Sequence, residues 1–147
     1  MNRAEATERI LAAKKAKGLT FEAIARAVGK HKVWVTSALL GQSTMTAEQA
    51  HRVVSLLGLE PEVAAALQEY PSKGSVGQAV PVDPLIYRFH EITQVYGTTL
   101  KALIHEMFGD GIMSAIDFEM DVQRKEDPKG DRVVITMSGK FLPYKVW

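Results

Sequence analysis

The 147-residue chain contains no cysteine. That absence excludes disulfides, thiolate metal ligands and thiol nucleophiles together. No apolar run reaches the roughly 18 residues of a membrane-spanning helix, so none is expected. A surplus of one charge is missing too, because 18 Lys and Arg face 17 Asp and Glu for a formal net charge of +1. Such a balance argues against both a strongly basic nucleic-acid binder and an acidic, solvated tail. The stretch MNRAEATERILAAKKAKG begins polar and lacks the apolar centre of a signal peptide. Glu5 and Glu8 stand among Arg3, Arg9, Lys14, Lys15 and Lys17, which counts against a transit peptide. The expected location is the cytoplasm.

What is present is a globular composition, 46% hydrophobic and 24% charged. The length suits one ordinary domain or two small ones. The near-neutral sum hides a split. Residues 1–73 carry ten Lys and Arg against seven Glu, a charge of +3, whereas residues 74–147 carry eight against ten, a charge of −2.

Residues 4–17 place Ala6, Ile10, Ala13 and Ala16 at helical spacing before Gly18. Thr20 caps a second pattern through Phe21, Ile24, Ala25 and Val28, which Gly29 closes. A third runs from about His31 to Leu40 and stops at Gly41. Thr46-Ala47-Glu48-Gln49 is a capping box that opens a fourth, through Val53, Val54 and Leu57 to Gly58. A short fifth starts at Pro61 and ends near Glu69. Residues 1–73 therefore read as a helical bundle.

Residues 74–83 lie in a Pro-, Gly- and Ser-rich stretch without periodicity, and read as a linker or as an arm crossing to a neighbouring subunit. Asp83-Pro84 is a helix start, with Asp at the N-cap and Pro at the first helical position. Leu85, Phe89, Ile92 and Tyr96 share one stripe, and Gly97 is expected to stop that helix. A second helix then runs through Leu100, Leu103, Ile104 and Phe108 to Gly109-Asp110-Gly111. Beyond it the period changes to two: Ile116, Phe118, Met120 and Val122 alternate with Asp117, Glu119 and Asp121. Asp127-Pro128-Lys129-Gly130-Asp131 is a turn, followed by a strand over Val133–Met137 and a final apolar Phe141-Leu142. The class is α+β, with residues 84–147 a second domain of two helices and a β-hairpin. Two strands alone are marginal in water, so the hairpin is expected to interlock with a second subunit.

Residues 19–41 have the helix-turn-helix form of repressor-like proteins. A base-reading helix needs Arg, Lys, Asn, Gln or Ser near its exposed start. Here the positions hold His31, Lys32, Val33, Trp34, Val35 and Thr36, which read bases poorly. Packing or oligomerisation is the favoured role, and no nucleic-acid partner is expected.

Metal sites find no support, because His31, His51, His90 and His105 form no i,i+4 pair and no H-E-x-x-H. Gly109-x-Gly111 lacks the rest of a nucleotide-binding fingerprint. Arg88 and Glu91 are i,i+3, about 60° apart around a helix, at the edge of the apolar stripe. They form either an ordinary surface pair or an arginine held ready to offer its planar fork to a small anion. Ser114 is the polar exception in Ile112-Met113-Ser114-Ala115-Ile116, either satisfied by backbone or part of the same site. No Ser-His-Asp spacing supports a hydrolase triad.

The segments YRFHE (87–91) and QVYGTTLKALIHEMFGDGIMSAIDF (94–118) resemble the signature region of the cyanase, or cyanate hydratase, family. ALLGQ (38–42) and GKFLPYK (139–145) are similar to that family as well, so the resemblance covers nearly the whole chain. It implies a lyase that converts cyanate and bicarbonate to carbamate and carbon dioxide, carbamate then releasing ammonia. Bicarbonate is a co-substrate, and no metal or organic cofactor is implied. The family's catalytic Arg, Glu and Ser fall on Arg88, Glu91 and Ser114. The resemblance also implies a homodecamer of five dimers with active sites between subunits. Two departures are visible: His90 stands where Tyr is common, and the tail ends in Tyr144-Lys145-Val146-Trp147 rather than Pro-Phe. The rival expectation is a small helix-turn-helix DNA-binding regulator with a C-terminal dimerisation domain.

Overall fold

The structure is a computed structural model that describes residues 1–74 and 79–147. Of the expected linker, residues 75–78 lie outside the described residues. The chain divides into two compact units, Met1–Val76 and Gly77–Trp147.

The first unit holds five helices: α1 (Arg3–Ala16), α2 (Phe21–Val28), α3 (Lys32–Leu39), α4 (Ala47–Leu57) and α5 (Pro61–Gln68). Their ends obey local chemistry. Thr20 Oγ1 accepts from Ala23 N–H, and Thr46 and Gln49 form a reciprocal capping box. Asn2 and Glu5 form another at the start of α1, which the helical pattern from residue 4 did not include. Gly29 and Gly58 end α2 and α4 in the left-handed region, φ +77° and +68°, where a side chain is strained. Ile10, Ile24, Val35, Leu39, Val53, Leu57, Val63 and Leu67 are fully or almost fully buried and form the core.

Arg3 enters this unit from the first turn of α1. Its guanidinium donates to the carbonyls of Ala66, Ala38 and Ser43, in the last turns of α5 and α3 and just beyond α3. Helix C-termini leave carbonyls without intrahelical partners, and Arg3 serves two such ends at once. Burial lowers its pKa, and the nearby Glu69 carboxylate opposes that effect. In α3, Val35 is buried and Trp34 packs against the core, so two positions in the reading frame of a recognition helix serve packing instead.

The second unit contains α6 (Pro84–Phe108), β1 (Gly111–Lys125) and β2 (Arg132–Pro143). Asp83 Oδ1 accepts from the N–H groups of Leu85 and Ile86, with Pro84 inside the first turn, as the Asp-Pro signal requires. The expected break at Gly97 does not occur, and the two helices are one of 25 residues. Glycine costs about 1 kcal/mol against alanine inside a helix, but it stops one only where the backbone turns left-handed. Gly97 keeps a negative φ, and its Cβ position faces only Thr93 Cγ2 at 3.9 Å. Tyr96 and Leu100 are i,i+4, so the apolar stripe passes through in register. Gly109, at φ +89°, supplies the end instead.

β1 and β2 form an antiparallel hairpin, paired from Gly111↔Pro143 to Lys125↔Arg132. Its turn is held by Asp127 Oδ1, which accepts from Lys129 N–H, and by Gly130 N–H, which donates to Asp127 O. Among the described residues, six helices and a terminal hairpin make the α+β class expected. No helix among the described residues is long and apolar enough to cross a membrane.

Candidate active site

The residues expected to carry chemistry all fall in the second unit. One turn into α6, Arg88 and Glu91 meet as their i,i+3 spacing predicts. Arg88 Nη1 donates to Glu91 Oε2 at 2.8 Å. Both side chains are about half exposed, 58% and 50%. In that setting an ion pair contributes only about 0.5 kcal/mol to stability. Its remaining guanidinium N–H groups keep Arg88 able to bind an anion while Glu91 fixes one edge. The Arg88 guanidinium also lies 5.7 Å from the Tyr87 ring centroid, within cation–π range. The His90 ring centroid is also 5.7 Å from that of Tyr87, with the two rings tilted by 41°.

Ser114 sits in β1, and it is the only polar residue among the described ones that is buried, at 5% exposure. Its Oγ accepts hydrogen bonds from the backbone N–H groups of Ile116 and Asp117, each at 3.0 Å. Satisfaction by backbone is therefore real, and it does not exhaust the hydroxyl, whose proton stays free for donation. Among the described residues no hydrogen bond or ion pair joins Ser114 to Arg88 or Glu91. Of Arg88, Glu91 and Ser114, one chain brings the first two together.

Two glycines of the hairpin were not among the expected site residues. Gly111 is packed against Phe141 and the backbone of Leu142 and Pro143, and Gly139 against Met113 and the backbone of Ser114. A glycine inside a β run signals a bulge or a close backbone approach, and that was the available clue. At the end of α6, Lys101 Nζ and His105 Nε2 are 2.9 Å apart, and His105 Nδ1 lies 2.9 Å from Gly109 O. With a neutral ring, Nδ1–H donates to the carbonyl and Nε2 accepts from the ammonium, so His105 is committed to the helix end.

Comparison with known proteins agrees with this layout along both halves. Residues 3–71 match the family model described as cyanate hydratase, N-terminal, and residues 78–146 match that of the cyanate lyase C-terminal domain. The cyanate hydratase of Synechococcus sp. (strain CC9311) is 59% identical over 141 residues, 96% of this chain and 94% of that protein. That of Cupriavidus necator is 57% identical over 147 residues, covering the whole of both chains. The crystal structure of the cyanase from T. urticae superposes with a TM-score of 0.85 at 45% identity, covering 94% of this chain and 96% of that one. On both its halves, and along nearly all of its length, the chain belongs to the cyanate hydratase, or cyanase, family.

Proposed function

We propose that the chain is a lyase that decomposes cyanate, with bicarbonate as co-substrate. The observation that carries the reading is the family match over residues 3–71 and 78–146, with the Arg88–Glu91 pair formed inside the matched C-terminal domain. A DNA-binding regulator finds no support, since the relatives are cyanate hydratases and the second helix of the helix-turn-helix spends Trp34 and Val35 on packing.

The chemistry places two small anions side by side. At about 4 Å two like charges repel by roughly 4 kcal/mol in a partly screened setting. Arg88 offsets that repulsion and orients both reactants, and proximity supplies much of the rate. A bicarbonate oxygen forms a bond to the cyanate carbon. The bond between that oxygen and the bicarbonate carbon then breaks, and carbon dioxide leaves. Nitrogen ends with two protons, one from bicarbonate and one from solvent, and the product is carbamate. Carbamate takes up a further proton and splits to ammonia and a second carbon dioxide. Ser114 donates a hydrogen bond from its hydroxyl to one of the anions and keeps its proton. Glu91 holds Arg88 in place; a carboxylate facing two anions without that arginine is electrostatically costly.

The site is proposed to form between subunits of a decamer built from five dimers. Supporting this, α6 has no buried residue, and Leu85, Phe89, Ile92, Tyr96, Leu100 and Leu103 stand about half exposed or more. A stripe of that extent marks an interaction surface. No metal or organic cofactor takes part in the proposed reaction, residues 84–147 form the catalytic and dimerisation domain, and the enzyme works in the cytoplasm. The test is ammonia release from cyanate by purified protein, with and without bicarbonate. Release only when bicarbonate is present is expected, and no bicarbonate-dependent release overturns the reading.

A further inference from the structure

The two strands of the hairpin spend unequal lengths of chain beside Ser114. Between the pairs Met113↔Phe141 and Phe118↔Gly139, residues 114–117 of β1 stand against Lys140 alone. The surplus is a bulge, which re-aims the side chains it carries. Ser114 opens the bulge and is buried, while Ile116, two residues on, is almost wholly exposed. A serine hydroxyl has two acceptor lone pairs and one proton. The N–H groups of Ile116 and Asp117 take both lone pairs, so donation is the one capacity left. Two N–H dipoles aimed at Oγ also polarise it and strengthen that donation.

Gly139 lies across from the bulge. A Cβ there would come within 2.6 Å of Met113 Cγ and closer still to the carbonyl oxygen of Ser114. A methionine side chain can move aside, whereas the Ser114 carbonyl moves only with the bulge. The φ of Gly139 is not left-handed, so glycine is needed here for space and not for conformation.

We propose that Gly139 is a positioning residue for the reaction: its missing side chain lets β2 close on the bulge that holds Ser114 as a dedicated hydrogen-bond donor to a substrate anion. The proposal rests on the reading of Ser114 as a group that touches substrate. It also specifies that role, since a hydroxyl with both lone pairs occupied is neither nucleophile nor proton acceptor.

The test compares the full-length wild type with Ser114→Ala, Gly139→Ala, the double variant of these two, and Gly139→Ala combined with Met113→Ala. Steady-state ammonia release is measured against both cyanate and bicarbonate. Gly139→Ala is expected to lower kcat about tenfold or more, with each KM moving by less than about threefold, because a misplaced donor is lost chiefly in the transition state. Adding Gly139→Ala to Ser114→Ala should cost nothing further, since one residue acts through the other. Met113→Ala should not restore the Gly139→Ala enzyme. A wild-type kcat for Gly139→Ala, losses that multiply in the double variant, or rescue by Met113→Ala each overturns the proposal. Should Gly139→Ala fail to assemble, amide hydrogen exchange in the wild type and in Ser114→Ala decides. Ile116 and Asp117 amides are expected to exchange about tenfold faster once the hydroxyl is gone, and equal rates overturn the arrangement. A wild type inactive with cyanate and bicarbonate overturns the proposed reaction instead, and the exchange measurement still decides the bulge.

Discussion

Arg88 and Glu91 form a half-exposed pair worth little to folding, so their proposed role in catalysis can be tested apart from stability. Arg88→Lys keeps the charge but loses the planar fork. We expect it to lower kcat/KM by about 100-fold or more while the melting temperature stays within about 2 °C. Enzyme kinetics beside a thermal melt checks both halves of that statement. Glu91→Gln keeps an acceptor for Arg88 and is expected to keep part of the activity; complete loss would move Glu91 from orienting to proton transfer. Arg3 has the opposite profile. It is partly buried, ties together carbonyls from distant turns, and touches nothing proposed as catalytic. Arg3→Ala is expected to destabilise the first unit by about 3 kcal/mol, read from denaturant unfolding, because three carbonyls lose their donor. Spacing alone paired Arg88 with Glu91, since i,i+3 neighbours on a helix must approach. Nothing in the sequence marked Arg3 as a tie between helix ends, because its partners Ala38, Ser43 and Ala66 lie 35 to 63 residues away.

Element ends follow local rules, and most of them could be read directly. Asp83-Pro84, Thr46 with Gln49, Gly29 and Gly58 all do what their residue types dictate. Thr46→Ala removes one cap acceptor, and is expected to cost about 1 kcal/mol in denaturant unfolding with kcat unchanged. Gly97 is the instructive failure. Its identity suits both a helix stop and a helix interior, and the sign of φ that separates them is set by packing beyond the local sequence. The bulge at residues 114–117 was hidden for a related reason. It exists only as a mismatch between two strands, so it needs the pairing register that fixes Lys140 opposite four residues.

A 25-residue helix without a buried residue, beside a two-stranded hairpin, leaves a large apolar surface for the whole molecule to cover. Other copies of the same chain are the proposed cover, which makes catalysis and assembly one event. Leu103→Glu places a charge on the exposed stripe of α6; it is expected to lower the particle mass in light scattering and to abolish activity together. An intact particle would place that stripe outside the assembly. The charge split between the halves, +3 and −2, says little about the substrate, because the proposed anion site lies in the negative half. A local guanidinium outweighs a distant sum at ordinary ionic strength. Dialysis against a chelator should leave the rate unchanged, since the proposed chemistry runs on guanidinium, carboxylate and hydroxyl groups alone. The most direct measurement is the initial rate of ammonia release from cyanate across a bicarbonate titration, with carbon dioxide counted in the same vessel. The rate is expected to rise from zero to saturation, with one bicarbonate consumed and two molecules of carbon dioxide evolved for each ammonia. Ammonia release that ignores bicarbonate would contradict it, because simple hydrolysis would then be the reaction.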